Sequence, residues 1–224
     1  MHDPYETARR RMLTEIAREV AETRRYLGRD QLDPAVAAAL NAVPRHEFVP
    51  EDLRDRAYTN RPLPIGRGQT ISQPFIVAIM TELAAPTPQS HVLEIGTGCG
   101  YQAAVLAEIA ASVVTVERIA ALADDAKARL KRLGYGNVTV VHGDGTLGWP
   151  TEAPYDAILV TAATAELPEH LPEQLRPGGR LVVPLGPPGI GQSLTVLEKD
   201  SGTGEIRESC HLPVAFVPLL GGVG

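Results

Sequence analysis

The nine residues Val92-Leu93-Glu94-Ile95-Gly96-Thr97-Gly98-Cys99-Gly100 constrain the fold more than any other part of this chain. An apolar run of strand length ends in glycines at alternate positions, and a helical pattern over residues 101–111 follows. Glycines so placed let the backbone turn tightly at a strand end and come close to a ligand. The same alternation continues downstream. Residues 113–116, 138–141, 157–160 and 180–184 read as strands, and residues 119–133 and 167–174 as helices. Such βα repetition predicts an α/β fold, a doubly wound and mostly parallel sheet with helices on both faces. Near the end, residues 194–199 and 205–210 flank Asp-Ser-Gly-Thr-Gly and read as an antiparallel hairpin.

The first third of the chain is different. Residues 5–27 carry Met12, Leu13, Ile16 and Val20 on one helical face, and Gly28 stops that helix. Asp33 followed by Pro34 starts a second helix, with Val36, Ala37, Leu40 and Val43 on its apolar stripe, which Pro44 ends. Residues 60–69 are rich in Pro and Gly and read as an irregular connector. Ser72, two residues before Pro74, marks another helix start, because serine is a preferred N-cap and proline suits the first turn. The helix that follows, residues 75–85, places Phe75, Ile76, Ile79, Met80 and Leu83 on one face. Pro86-Thr87-Pro88 then breaks the chain. The expected organisation is an N-terminal helical region with a substrate-side loop, residues 1–85, packed on a main ligand-binding domain, residues 86–224.

The cofactor turn selects its ligand by what it lacks. A dinucleotide fingerprint needs a small residue at 101, where Tyr101 stands, and no Gly-Lys-Ser/Thr follows to make a phosphate loop. Glu117 closes the second strand, where a carboxylate can accept hydrogen bonds from ribose hydroxyls. Asp144, in His-Gly-Asp-Gly (142–145), closes the third, where a polar edge can meet an adenine amine. Each has a plainer reading: Glu94 as a satisfied strand carboxylate, Glu117 as a helix N-terminal charge, Asp144 as a turn residue. Together, at successive strand ends, they favour a nucleoside without phosphates, and S-adenosylmethionine is the expected cofactor.

Charge and composition narrow the partners. A formal net charge of -6 with no long basic run argues against nucleic acid and anionic membrane. The two cysteines, Cys99 and Cys210, are too few for a disulfide framework, and the N-terminus has no apolar signal core. A cytoplasmic protein is expected. None of the six histidines has a second ligand at metal spacing, so no metal is expected.

The chain resembles the protein-L-isoaspartate O-methyltransferase family over nearly its whole length. The matching stretches are V-P-R-H-E-F-V-P (43–50), P-L-P-I-G-R-G-Q-T-I-S-Q-P (62–74), V-L-E-I-G-T-G-C-G-Y-Q-A-A-V-L-A (92–107), H-G-D-G-T-L-G-W-P (142–150), L-R-P-G-G-R-L-V-V-P-L-G (175–186) and F-V-P-L (216–219). The glycine turn alone indicates only the broad methyltransferase fold, whereas the Q-T-I-S-Q-P block and the F-V-P-L end are far more specific. The resemblance implies a seven-stranded Rossmann-like sheet with an antiparallel member near the C-terminus. It implies methyl transfer from S-adenosylmethionine, with S-adenosylhomocysteine as product, to the α-carboxylate of L-isoaspartyl residues in damaged proteins and peptides, which initiates their repair through a succinimide. It also implies cofactor contacts from Glu94, Gly96, Thr97, Gly98, Gly100, Glu117, Arg118, Asp144 and Gly145. Ser72 becomes the catalytic residue, an orienting donor rather than a nucleophile, and Thr70, Ile71, Gln73, Val217 and Pro218 line the substrate.

An α-carboxylate has a reference pKa of roughly 3.3–3.7 and needs no general base at neutral pH, so positioning is the main lever. Backbone N–H groups at the helix start beyond Ser72 are expected to help bind the anion. The chain departs from the family pattern at Phe75, where some relatives carry histidine, at Cys99, where serine is common, and at Thr164. These leave the core chemistry in place and the substrate range open. Two rival readings keep their place: the same methyl transfer to a dedicated peptide or metabolite, and a binding module without turnover. A monomer is the expected state.

Overall fold

The computed structural model describes residues 3–187 and 191–224, without the side chains of Cys210 and His211, so the expectations for His2, Cys210 and His211 lie outside the described residues. The N-terminal part begins with α1 (Glu6–Glu22), which buries Met12, Ile16 and Val20, then α2 (Arg24–Leu27), which ends on Gly28 in the left-handed region. Helix α3 (Pro34–Ala42) starts as the sequence predicts: the Asp33 side chain accepts from the Ala35 N–H, and Pro34 takes the first position.

Residues 60–69 correct the expectation of an irregular connector. Strands β1 (Leu63–Gly66) and β2 (Gln69–Ile71) pair as an antiparallel hairpin. Its two turn residues, Arg67 and Gly68, both have positive φ (52° and 71°), the combination that matches a two-residue turn to strand twist. An arginine rather than asparagine or aspartate at the first turn position hid the signal. The start of α4 (Pro74–Ala84) is also shifted. Gln73, not Ser72, is the N-cap residue, and it makes no side-chain cap bond. The Phe75 N–H is satisfied instead by Asn60 Oδ1 at 3.0 Å, whose amide in turn donates to Glu19 Oε2. That N–H is therefore committed to Asn60. Helix α4 is buried nearly all round rather than along one stripe, because α1 and α3 pack against it while it lies on the sheet.

The remaining strands are β3 (His91–Ile95), β4 (Ser112–Glu117), β5 (Val138–His142), β6 (Tyr155–Val160), β7 (Leu175–Leu185), β8 (Gln192–Lys199) and β9 (Ile206–Val214). They form one sheet in the order β5-β4-β3-β6-β7-β8-β9. The pairs from β5 to β7 are parallel, and β8 runs against both its neighbours. Helices α5 (Tyr101–Ala107), α6 (Ala120–Arg132) and α7 (His170–Glu173) complete the doubly wound arrangement. Helix α5 stops four residues short of the predicted end because the Ala111 and Ser112 N–H groups bond to the Ser90 carbonyl, pulling the chain out toward β4.

The central strands β3, β4 and β6 are covered on both faces and are apolar almost throughout. Val92, Val113, Ala157 and Val182 face α4 and α5, and Leu93, Val114, Ile158 and Leu181 face the other layer. The first of these clusters continues without a break into α1 and α3. The same alternation sends two polar side chains, Glu94 and Thr115, into the α4 side of adjacent strands. From β3 the chain steps outward to β4 and β5, then returns to β6 on the other side of β3. Sheets of this kind bind ligands beyond the strand ends at such a reversal. Among the described residues no helix is long and apolar enough to cross a membrane.

Candidate active site

A cleft lies at that reversal, between the ends of β3 and β6. Its floor is the glycine turn after β3. The Thr161 hydroxyl, just past β6, donates to the Ile95 and Gly96 carbonyls (3.0 and 2.7 Å) and closes the floor from the other side. Gly96 has φ 96°, and a Cβ there would fall 2.4 Å from Thr161 Oγ1. Gly145 has no room either, since its Cβ would lie 2.5 Å from Ile95 Cγ2. Both glycines let backbone line the cleft directly.

Three carboxylates were expected here, and their surroundings differ. Glu94 is fully buried; its Oε2 accepts from Thr115 Oγ1 at 2.6 Å, while its Oε1 faces no partner and the residue lines the cleft. Burial, reinforced by the nearby Glu117 charge, outweighs the Thr115 bond and pushes its pKa up to about 8. Glu117 is buried at the end of β4, accepting from the Gly98 N–H through Oε2 (2.9 Å) and from the Ile119 N–H through Oε1 (3.0 Å). Glu117 lines the cleft, and each of its oxygens can accept a further hydrogen bond. Asp144 does not line the cleft. Its Oδ1 accepts from the Thr146 N–H and hydroxyl, and its Oδ2 from the Gly222 N–H at 2.6 Å. Burial raises its pKa, but these donors outweigh burial and hold it below the usual carboxylate value.

The remaining expected cofactor residues separate in the same way. Gly96, Thr97, Gly98, Arg118 and Gly145 line the cleft. Gly100 instead opens α5 and packs against Leu130 and Ala126 of α6. The Arg118 side chain reaches the Gly222 carbonyl, and its own carbonyl accepts from the Gly224 N–H.

Two segments far from the sheet in sequence complete the walls. The hairpin contributes Gln69, Thr70 and Ile71, followed by Ser72, with Ile65 Cδ1 lying over Gly98. The C-terminal segment is carried there by backbone pairing: Ala163 N–H donates to the Val217 carbonyl (2.8 Å) and Leu219 N–H to the Ala163 carbonyl (2.6 Å). That places Val217, Pro218, Leu219 and Leu220 on the rim.

A second concavity of about 750 Å³ opens on the outer side of this rim. Glu19, Gln73, Phe75, Ile76 and the chain from Leu212 to Val217 line it. It shares Thr70, Ser72, Thr161 and Val217 with the cleft, so the two spaces meet at Ser72. The half-buried Ser72 hydroxyl makes no hydrogen bond within the described residues, leaving it free at that junction. Its carbonyl is held by Arg45 Nη2 at 2.8 Å. Gln73 lines the second space only, with its amide turned to the Glu19 carboxylate.

Sequence reasoning missed Thr161 and Asn60, and also Tyr101 and Gln102, which line the cleft. Thr161 was within reach, since it follows a strand that ends at the same sheet edge as Glu94 and Glu117. Asn60 was not, because it caps a helix fifteen residues away in sequence. Among the described residues no group of three or more His, Cys, Asp or Glu side chains is placed to hold a metal ion.

Comparison with known proteins identifies the family and the fold. The family described as Protein-L-isoaspartate(D-aspartate) O-methyltransferase matches residues 20–224. Protein-L-isoaspartate O-methyltransferase 2 of Syntrophobacter fumaroxidans is 54% identical over 220 residues, covering 98% of this chain and 89% of that protein. The Methanopyrus kandleri protein-L-isoaspartate O-methyltransferase is 58% identical over 193 residues, 84% of each chain. A solved protein-L-isoaspartate O-methyltransferase superposes with a TM-score of 0.76 at 30% identity, covering 93% of this chain and 67% of its own. A Plasmodium falciparum structure of the same description, solved with S-adenosyl-L-homocysteine, gives a TM-score of 0.73 at 25% identity, covering 91% and 97%.

Proposed function

The chain belongs to the protein-L-isoaspartate(D-aspartate) O-methyltransferase family, and from that premise we propose how its two concavities divide the work. The protein is a methyltransferase that uses S-adenosylmethionine and esterifies the α-carboxylate of L-isoaspartyl residues, the step that starts their repair. In our assignment the inner cleft takes the cofactor, the outer groove takes the damaged chain, and Ser72 stands where they meet. The observation that carries it is the shared rim of Thr70, Ser72, Thr161 and Val217.

The cleft suits the cofactor. Glu94 Oε1 is a buried acceptor without a donor, which an ammonium group would satisfy. The free lone pairs of Glu117 suit ribose hydroxyls, and the backbone at Gly96, Thr97, Gly98 and Gly145, with Arg118, would frame the remainder. We assign Asp144 to fastening the C-terminal segment beside the nucleoside end through Gly222, and Gly100 to seating α5 on α6. When bound, S-adenosylmethionine supplies a methyl group on a positively charged sulfur.

The chain's own residues supply placement. The Ser72 hydroxyl donates to one oxygen of the substrate carboxylate, which leaves the other free to face the methyl group. Thr70, Ile71, Gln73, Val217 and Pro218 flank that position, largely through backbone, which suits acceptance of varied sequences around the damaged residue. Residues 1–85 form the substrate-side cover, and the walls exclude water that would otherwise hydrate the carboxylate. We place the protein in the cytoplasm as a monomer, acting on isoaspartyl proteins and peptides without nucleic acid or membrane.

Two measurements test this. A hydrogen bond to a charged group contributes about 1.5–2 kcal/mol, so Ser72→Ala should lower kcat about 10- to 30-fold. Turnover is read on isoaspartyl and matched aspartyl peptides, and affinity for S-adenosylhomocysteine, measured by direct binding, should stay within about threefold. Methylation of neither peptide by the parent protein would overturn the assignment. The second concerns pH. If an ammonium group must meet ionised Glu94, binding below its raised pKa of about 8 requires loss of a proton. The S-adenosylhomocysteine Kd should fall about tenfold from pH 6.5 to 7.5, a slope that Glu94→Gln removes. The stability of the cofactor-free protein runs the other way. Glu94 holds its proton in the folded state and loses it in the unfolded chain, so that contribution shrinks as pH rises from about 4.5 to 8.

A further inference from the structure

Arg45 is fully buried, yet no carboxylate lies within ion-pair distance of it among the described residues. Its Nε donates to the Ala57 carbonyl and its Nη2 to the Ser72 carbonyl, both at 2.8 Å. Its guanidinium sits 4.6 Å from the centre of the Tyr101 ring, and Nη1 has no hydrogen-bond partner. The titratable groups around it, Tyr101, Cys99 and Tyr58, all have pKa values pushed up by burial, so none brings a negative charge at neutral pH. A guanidinium does not give up its proton in proteins. An isolated buried charge is strongly unfavourable, and a fold that keeps one leaves its counter-charge to be accounted for.

We propose that the counter-ion of Arg45 is the substrate carboxylate, and that Arg45 is the positioning residue that gives the junction at Ser72 its affinity for an anion. This rests on the assignment of the two concavities above. The residue touches neither concavity, but it is one peptide group away from the hydroxyl that meets the substrate. Its contacts join three parts of the site: the cover at Ala57, the substrate loop at Ser72, and the first residue of α5 beside the cofactor turn. In a poorly hydrated interior its field reaches the carboxylate with little screening. It acts through space and through the Ser72 peptide and transfers no proton.

The test compares an isoaspartyl peptide with the same peptide carrying a neutral carboxamide in place of the α-carboxylate, by competition and direct binding. The parent protein should bind the carboxylate at least 30-fold more tightly. Arg45→Met should cut that ratio about tenfold and raise the peptide KM by a similar factor, with S-adenosylhomocysteine affinity within threefold. Arg45→Lys, which keeps the charge and loses the fork, should retain most of the ratio while kcat falls. Loss of the ratio in Arg45→Lys to the level of Arg45→Met, or an unchanged ratio in Arg45→Met, would overturn the proposal. Should Arg45→Met fail to fold, Arg45→Gln takes its place as the neutral variant, with the same expected loss and the same overturning result. Failure of the parent protein to methylate any isoaspartyl peptide would strike the functional assignment instead.

Discussion

Gly96→Ala should cost about 3–5 kcal/mol of folding stability and abolish measurable cofactor binding, since two separate penalties fall on one methyl group. The backbone at Gly96 has φ 96°, where an L side chain meets its own carbonyl. The new Cβ would also stand 2.4 Å from Thr161 Oγ1, which cannot swing away without leaving its bonds to the Ile95 and Gly96 carbonyls. Domains of this kind are stable by only about 5–15 kcal/mol, so the variant should melt well below the parent. Gly98→Ala is the control. Its φ of 54° is the commoner left-handed value, and the nearest atom to an added Cβ is Ile65 Cδ1 at 3.4 Å. That loss should be about 1–2 kcal/mol. Pairing Gly96→Ala with Thr161→Ala removes the clash but not the strained dihedral, so the double variant should recover part of the stability. Thermal unfolding with and without S-adenosylhomocysteine reads all three, and a Gly96→Ala protein that melts with the parent would refute the account.

Much of the fold is legible in the sequence because two periodicities dominate it. The central strands β3, β4 and β6 are apolar nearly throughout, as burial on both faces requires, and each βα step is punctuated by turn residues. Glu94 and Glu117 stand out because a charged residue in or ending such a strand needs a partner or a purpose. What was hidden depends on contacts across the chain. The helix start near Ser72 looks local, yet its N–H is satisfied by Asn60, and that leaves the serine hydroxyl free. A serine that capped α4 would have its oxygen committed to backbone. Loss of the cap role is therefore what makes the hydroxyl available at the rim. Asp144 is the converse case. Its place at a strand end matches a ligand contact, but the C-terminal segment supplies Gly222 as a donor, and no local pattern announces a pairing 78 residues away. Arg45 lies in the V-P-R-H-E-F-V-P stretch, where nothing local marks it as buried, and only the packing of Ala57, Ser72 and Tyr101 around it exposes its isolation.

Glu117→Ala should raise the S-adenosylhomocysteine Kd about 10³-fold, the loss expected from two hydroxyl bonds to a charged acceptor at roughly 2 kcal/mol each. The carboxylate also orders the cleft before any ligand arrives. Its two oxygens hold the Gly98 and Ile119 N–H groups, one in the glycine turn and one at the entry to α6. Removing it leaves both donors without their acceptor, which costs about 1–3 kcal/mol for each one that water does not reach. Melting should therefore drop even without ligand, by less than for Gly96→Ala because no atom is forced into occupied space. The two roles separate in Glu117→Asp. A shorter carboxylate keeps the charge but cannot reach both N–H groups and both hydroxyls, so affinity should fall between the parent and the alanine variant. Binding to 2′-deoxy and 3′-deoxy analogues isolates the ribose share. The parent should lose affinity for each, and Glu117→Ala should bind them as weakly as it binds the full ligand. A folded Glu117→Ala protein with Kd within threefold of the parent would show that the ribose is held elsewhere, and that Glu117 serves only to fasten the turn to the helix.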